Sequence, residues 1–353
     1  MNWTEPCYSK NQVRKVGNKL VRVMSTDEEG TKEDYRAWAT VFHNWRAAHA
    51  FPMQIMLDLL RKNAIREDKN AIAVQRLKRV HSILSKLLRE KNMNLSRIED
   101  IAGCRVIVLN VKKVNALRTR IKRSRTKHIL HRERDYIAKP KKSGYRGIHL
   151  IYRYNGGKIA FRGLNVELQI RSKIQHSWAT AVEVAGAFTK QAFKASEGQQ
   201  DWLDFFKYAS AEFAKLEGCN FEASLKKVNT FNEFHRLTTK LGVRKKLSAF
   251  TVVVKEANKR SQSSGYFLLL LDLENGVINV TQYSSRALDE ATKTYGDLEE
   301  SNKENPFTDV VLVSANSLKE LKKAYPNYFS DTDEFQKNMK KVYDANQTLL
   351  DNA

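Results

Sequence analysis

The sequence predicts an α/β fold of the α+β kind: a mixed sheet flanked by helices, followed by a small C-terminal α+β domain. Three observations carry this. Cys104–Leu109 is a short, β-branched apolar run that reads as a buried strand. Arg146–Tyr154 and Lys158–Arg171 read as two strands joined by Asn155-Gly156-Gly157, a sequence suited to a hairpin turn. Charge also changes sign along the chain. Residues 248–353 carry 12 Lys/Arg against 16 Asp/Glu, so the first 247 residues hold an excess of +27 within a net charge of +23.

The elements follow in order. The first ~90 residues read mainly as helices, with Tyr35–Leu60 interrupted by Pro52 and Arg76–Glu90 carrying an apolar stripe from Leu77 to Leu88. A helix over Val114–Arg123 follows the Cys104–Leu109 strand. Residues 112–146 hold fourteen Lys/Arg against two acids and end in the loop-forming Lys139-Pro140-Lys141-Lys142-Ser143-Gly144-Tyr145. Beyond the hairpin come helices at Gln175–Ala192 and Asp201–Glu217, and helical sequence from Phe221 to about Leu241. In the tail, Ala249–Lys255, Tyr266–Asp272, Val277–Gln282 and Asp309–Ser314 read as strands, with Glu274-Asn275-Gly276 as a turn. Helices are expected near Ser285–Glu300 and from Ser317. The domains expected are a helical region over 1–70, a core over 71–200, a helical extension over 201–247 and an acidic unit over 248–353.

Composition narrows the class. Hydrophobic content of 42% and charged content of 29% describe a globular chain, and no apolar run is long enough to cross a bilayer. The N-terminus lacks a signal peptide's apolar stretch, and Cys7, Cys104 and Cys219 have no ligand or disulfide spacing. A reduced cytoplasm is the expected location. The basic excess points to polyanionic partners, or to a solvated basic surface.

Four segments carry the chemistry. Around Glu167, Val166, Leu168 and Ile170 alternate with Glu167, Gln169 and Arg171, so three polar groups share one strand face. Taken alone, that face could simply meet solvent. Lys78, Ser82 and Lys86 fall at i, i+4 and i+8 with Arg76 just before them, an alignment that suits a polyphosphate or a solvated basic helix face. Asp100 leads through Gly103 into the buried strand, where one carboxylate can hold Mg²⁺ or merely shape a turn. The loop Asp135–Tyr145, followed by Arg146-Gly147-Ile148-His149, joins dense cations to an aromatic ring on a Gly-flexed backbone. Cations neutralise phosphates while a ring stacks on a base.

In order, Arg76-x-Lys78-x₃-Ser82-x₃-Lys86, Asp100-Ile-Ala-Gly103-x-Arg105, Asp135-Tyr-Ile-x₂-Pro140-Lys141-x-Ser-Gly144-Tyr145-Arg146-x₂-His149, Glu167-x-Gln169-x-Arg171 and Gln175-His176-x-Trp178-Ala179 resemble the synthetase domain of RelA/SpoT alarmone synthetases over about 76–183. The resemblance implies a nucleotidyltransferase-like mixed sheet and a pyrophosphotransferase of the GTP/GDP diphosphokinase type, moving the β,γ-diphosphate of ATP to a ribose 3′-hydroxyl with Mg²⁺ as cofactor. It implies that Arg76 and Arg105 sandwich adenine while Lys78, Ser82 and Lys86 hold its phosphates. Asp100 and Glu167 would be catalytic and bind the metal, with Glu167 taking the hydroxyl proton. Tyr145, Lys141, His149, Arg146, Gln169 and Arg171 would form the acceptor side.

Two acceptors stay open: GDP or GTP, giving an alarmone, or the 3′ end of tRNA, as in toxic small members that are linked to toxin–antitoxin pairs and phage defence. RNA binding through residues 112–146 without catalysis is a third reading. Gly147 stands where the family usually has serine, and Ala179–Val184 departs from the usual acidic run. No histidine is followed by aspartate, which argues against the family's metal-dependent hydrolase. Homo-oligomers and a protein regulator acting on the acidic tail are further partners to be expected.

Overall fold

The computed structural model describes residues 3–26, 30–192, 199–249, 253–256, 265–272, 275, 277–302, 308–315, 317–325, 329 and 332–347. Three helices open the chain: α1 (Lys10–Ser25), α2 (Lys32–Ala48) and α3 (Ala50–Glu67). Ser9 and Thr31 start the first two with reciprocal capping boxes to Gln12 and Asp34. Pro52 sits in the first turn of α3, where a missing N–H costs nothing.

The core continues β1 (Ile72–Leu77), α4 (Val80–Arg89), β2 (Ala102–Val108), α5 (Val111–Arg123), β3 (Ile129–Asp135), β4 (Ile148–Arg153), β5 (Asn165–Ser172), α6 (Lys173–Ala192) and α7 (Gln199–Leu216). After α8 (Thr230–Leu241) and α9 (Val243–Ala249), the tail contributes β6 (Val253–Glu256), β7 (Gly265–Asp272), β8 (Val277–Ser284), α10 (Leu288–Ser301), β9 (Thr308–Ala315), α11 (Leu318–Ala324) and α12 (Asp333–Ala345). No helix among the described residues is long and apolar enough to cross a membrane.

The fold is the mixed sheet flanked by helices that the sequence predicts, with three local corrections. Arg76–Lys78 is not helical: Arg76 and Leu77 end strand β1, and the helix begins only at Val80. The apolar stripe misled because Leu77 serves a strand as well as it would a helix. Residues 129–135 are a strand inside what composition marked as a basic loop. β4 and β5 pair antiparallel as expected, but their connection is longer than the turn at Asn155-Gly156-Gly157. Tyr154 turns back through a 3₁₀ turn at Ile159–Phe161, and Gly163 N–H donates to Tyr154 O at 2.8 Å. Residues 250–252 of the expected Ala249–Lys255 strand, and Glu274 and Gly276 of the expected turn, lie outside the described residues.

The nine strands among the described residues form one sheet in the order β3-β4-β5-β2-β1-β9-β7-β8-β6. The C-terminal strands therefore continue the core sheet, with β9 antiparallel to β1 through Gln75 opposite Ser314 and Arg76 opposite Val313. β2 and β5 are parallel, Gly103 lying beside Glu167 and Arg105 beside Gln169. On the back face Cys104, Val106, Val166, Leu168 and Ile170 pack against α3 and α5 around Leu57, Leu60 and Leu117. Full burial of such side chains contributes about 1.5–3 kcal/mol each and fixes the register, because a one-residue slip would turn Glu167 into this core.

Candidate active site

The register builds the site in rows across the front of the sheet, since directly paired residues project to the same face. One row runs Arg134, His149, Gln169, Arg105, Val74; the next runs Arg132, Ile151, Glu167, Gly103, Arg76. Asp100 lies just before β2, and the N–H of Lys78 donates to Ile101 O at 2.8 Å, tying the end of β1 to that entrance.

Lys78 and Lys86 reach the two oxygens of Asp100, at 2.8 and 2.9 Å. Lys78 does so from the strand end and Lys86 from α4, with Ser82 one turn before it. The expected stripe is thus assembled by two elements instead of one. Burial pushes the Asp100 carboxyl up, and so does neighbouring Glu167, but Lys78 and Lys86 outweigh them and hold it below the usual range.

Glu167 is only 6% exposed. His149 Nδ1 lies 2.8 Å from its Oε1, and Gln169 Nε2 donates to Oε2 at 2.7 Å. Burial raises this carboxyl, yet the charge and hydrogen bond of His149, with help from Gln169 and Lys78, bring it down to about 2. The Tyr145 hydroxyl lies 2.5 Å from His149 Nε2, extending the chain of hydrogen bonds from Glu167. Arg171 Nε donates to the Tyr145 oxygen at 3.2 Å, and Arg171 Nη2 to Gln169 Oε1, also at 3.2 Å. Arg105 Nε contacts Gln169 Oε1 at 3.4 Å.

The Tyr145 loop is ordered from below. Asp135 Oδ1 accepts from the N–H groups of Ile137 and Ala138, an Asx-type turn. Lys141 Nζ lies 4.6 Å from the Tyr136 ring centroid and 5.3 Å from that of Tyr145, and the Arg171 guanidinium lies 5.1 Å from the Tyr145 centroid. Gly144 has φ +89°, and a Cβ there would meet Ser210 Cβ at 2.9 Å, so glycine alone fits. At Gly147 a Cβ would fall 3.2 Å from the Tyr145 hydroxyl, so its absence lets that hydroxyl approach.

Of the expected site residues, the structure gathers Asp100, Glu167, Lys78, Lys86, Arg105, Lys141, Tyr145, His149, Gln169 and Arg171, and places Arg76 on the same face. Arg146 goes elsewhere, a correction. It is 2% exposed behind the loop, with Nη1 on Glu217 at 2.7 Å and Nε 3.4 Å from Ser210 Oγ. Residues alternate along an extended chain, so with Tyr145 aimed at the front, Arg146 must point back. Glu217 and Ser210, which fasten the loop to α7, were invisible in sequence because they lie more than 60 positions away. Tyr136 was legible within the loop motif as a second ring. Tyr325, after α11, was also missed: the Arg105 guanidinium lies 5.4 Å from its ring centroid.

Arg105 is buried among like charges. Burial, Arg171 and Arg76 lower its pKa, against Glu183 and Tyr325. Buried His176, beside Arg105 and Arg171, is held well below the usual range for the same reasons. Such crowding favours an anion.

Two carboxylates amid cations fit a magnesium ion held by one or two protein oxygens, its remaining ligands supplied by substrate phosphates. No cluster of three or more His, Cys, Asp or Glu that could hold a metal occurs among the described residues.

Residues 75–191 match the family model described as the region found in RelA / SpoT proteins, so the chain carries a RelA/SpoT region. The chain is 37% identical over 109 residues to the GTP pyrophosphokinase YjbM of Bacillus subtilis, covering 30% of this chain and 51% of that one. It is 27% identical over 143 residues to a GTP pyrophosphokinase of Escherichia coli K12, covering 40% and 18% respectively. The chain thus spans about half, or less, of these relatives. Among solved structures, the small alarmone synthetase 1 of Bacillus subtilis bound to pppGpp aligns at 29% identity over 41% of this chain and 74% of that one, with a TM-score of 0.35.

Proposed function

We propose that the chain transfers the β,γ-diphosphate of ATP to the 3′-hydroxyl of GDP or GTP, making (p)ppGpp and releasing AMP. The observation that supports this best is the pairing of Asp100 and Glu167 at adjacent strand entrances, each surrounded by cations that phosphates can engage. Phosphoryl transfer asks a protein mainly for positioning and charge neutralisation.

In this reading Lys78 and Lys86 turn from Asp100 to the β- and γ-phosphates, and Arg76 and Arg105 hold the adenine. Magnesium, when bound at Asp100 and Glu167, supplies Lewis-acid neutralisation of the phosphates. Tyr145 stacks on the acceptor base, with Lys141, His149 and Arg171 near its phosphates. The attacking hydroxyl displaces His149 or Gln169 from Glu167, which loses the contacts that keep it at about 2 and accepts the proton as the new O–P bond forms.

The tRNA 3′ end is the second reading. It is favoured by two clefts that share Thr119 and Arg123 of α5: one, between α3 and α5, carries Lys62, Arg66, Arg120 and Arg125, and the other carries Arg118 and Lys122. Incubation with γ-labelled ATP plus GDP, GTP or bulk tRNA decides between them: label in a guanosine nucleotide supports the first reading, label in tRNA replaces it, and no label in any acceptor removes both.

We also read the tail as a restraint on the donor side, because Tyr325 occupies the face of Arg105 that would meet adenine. The contact lies at Arg105 and not at the Tyr145 entrance.

A further inference from the structure

The back of the sheet holds a second cavity, which meets the row around Glu167 only at Arg76. Where β9 joins β1, the helix α3 covers one side of the seam and α10 the other, leaving a cavity of about 350 Å³ between them. That is within the ordinary range for small-molecule sites, roughly 300–1,000 Å³. Its walls include Met53, Leu77, Tyr266, Tyr295 and Leu312, and its mouth carries Trp3, Thr292 and Lys293. Tyr266 is buried while Thr292 and Lys293 are exposed, so the space runs from solvent to a closed floor.

Gln75 lines this cavity and is 3% exposed. It lies opposite Cys104 in the sheet register, on the face away from Glu167. A chain of amides fixes its orientation. Gln54 Nε2 donates to Asp58 Oδ1 at 3.0 Å, which leaves Gln54 Oε1 to accept from Gln75 Nε2 at 2.8 Å. The Gln75 carbonyl is then committed to the other direction, and it accepts no hydrogen bond. A buried acceptor without a donor is costly and is rare in folded proteins. The carboxylate of Asp289 at the mouth is a second acceptor. Arg46, a cation of the wall, is engaged by Lys78 O through Nε at 2.7 Å and by the Tyr295 hydroxyl through Nη2 at 3.1 Å.

We infer that this cavity binds a small planar nitrogen heterocycle of nucleobase or nucleoside class. Aromatic and aliphatic walls suit a flat ring, and acceptors at floor and mouth call for N–H donors on the ligand. The ligand bridges α3 of the core and α10 of the tail. One wall, Arg46, holds the backbone of Lys78, so the site is joined to the phosphate-binding lysine through a single residue. The inference is independent of which acceptor the front site uses.

The test is calorimetric titration of the full chain with adenosine, guanosine, cytidine and uridine, which lack phosphates. Three variants accompany it: Gln75→Leu removes the acceptor, Thr292→Trp closes the mouth from an exposed helix position, and Arg105→Ala disables the front adenine face. Each is checked by its melting curve. At least one nucleoside is expected to bind, at least tenfold more weakly in Gln75→Leu and Thr292→Trp and unchanged in Arg105→Ala. Absence of binding by all four, survival of binding in Thr292→Trp, or its loss in Arg105→Ala overturns the inference. Should Gln75→Leu fail to fold, Thr292→Trp alone decides.

Discussion

The two carboxylates of the site are held in opposite ways. Asp100 is 22% exposed and gripped by two lysines on flexible stems. Glu167 is nearly enclosed, and its partners His149 and Gln169 stand on neighbouring positions of the same rigid sheet. Lysine is a mobile point charge that can swing to an arriving phosphate. A histidine and an amide fixed by sheet register can only orient what comes to them. In the proposed reading, the lysines serve the donor's phosphates, and His149, Gln169 and Arg171 serve the acceptor.

The largest expected break of this contrast is Glu167→Gln, which keeps the shape and removes the charge. Transfer from labelled ATP falls by about 10²–10⁴, the usual contribution of a positioned acid–base group, in a variant whose melting curve shows it still folded at the assay temperature. Transfer left intact would remove Glu167 from the mechanism.

Next comes the acceptor loop's anchor. Arg146→Met leaves Glu217 buried without its cation, so stability should drop by about 3–5 kcal/mol in denaturant unfolding. On the donor side, Lys78→Met removes a charged partner of the phosphates. It should weaken ATP binding by roughly 10–100-fold while leaving the acceptor KM near its original value. A larger change in acceptor KM than in ATP binding would reverse the assignment of sides.

Smaller still is Tyr325→Ala. Removing a ring–guanidinium contact worth about 0.5–2 kcal/mol should lower the KM for ATP several-fold if the tail restrains Arg105. An unchanged or higher KM would make the contact structural only.

The pH dependence separates the carboxylates without substrate. The Glu167 pKa is depressed from 4.5 to about 2, so its stabilisation is fully present above 4.5 and is lost as pH falls through 2. The difference in stability between wild type and Glu167→Gln should therefore shrink across that window. The Asp100 contribution has the same sign, and adding salt should reduce it more, because its lysine pairs are partly solvated.

Much of the site was legible in the chain. Alternation put Glu167, Gln169 and Arg171 on one face, and the glycine-flexed basic loop announced Tyr145, because each pattern is local. Arg146 shows where local pattern fails. It belongs to the same motif as Tyr145, yet its partner Glu217 sits at the end of a helix that only packing brings near. Lys78 was placed on the right stripe for the wrong reason: it meets Lys86 at Asp100 from a strand end, because β1 stops one residue before it. The expected turn at Asn155-Gly156-Gly157 failed because Gly163, not the turn dipeptide, returns the chain to Tyr154.

The sequence alone determined the residue chemistry of the site, its order, and the shared face of Glu167, Gln169 and Arg171, since a period of two needs no partner to be read. Only the tertiary structure decided the rows across the sheet, the enclosure of Glu167, the stacking of Tyr325 on Arg105 and the joining of the tail to the core through β1 and β9. Those depend on strand order and register, which are set by apolar burial summed over residues far apart in the chain.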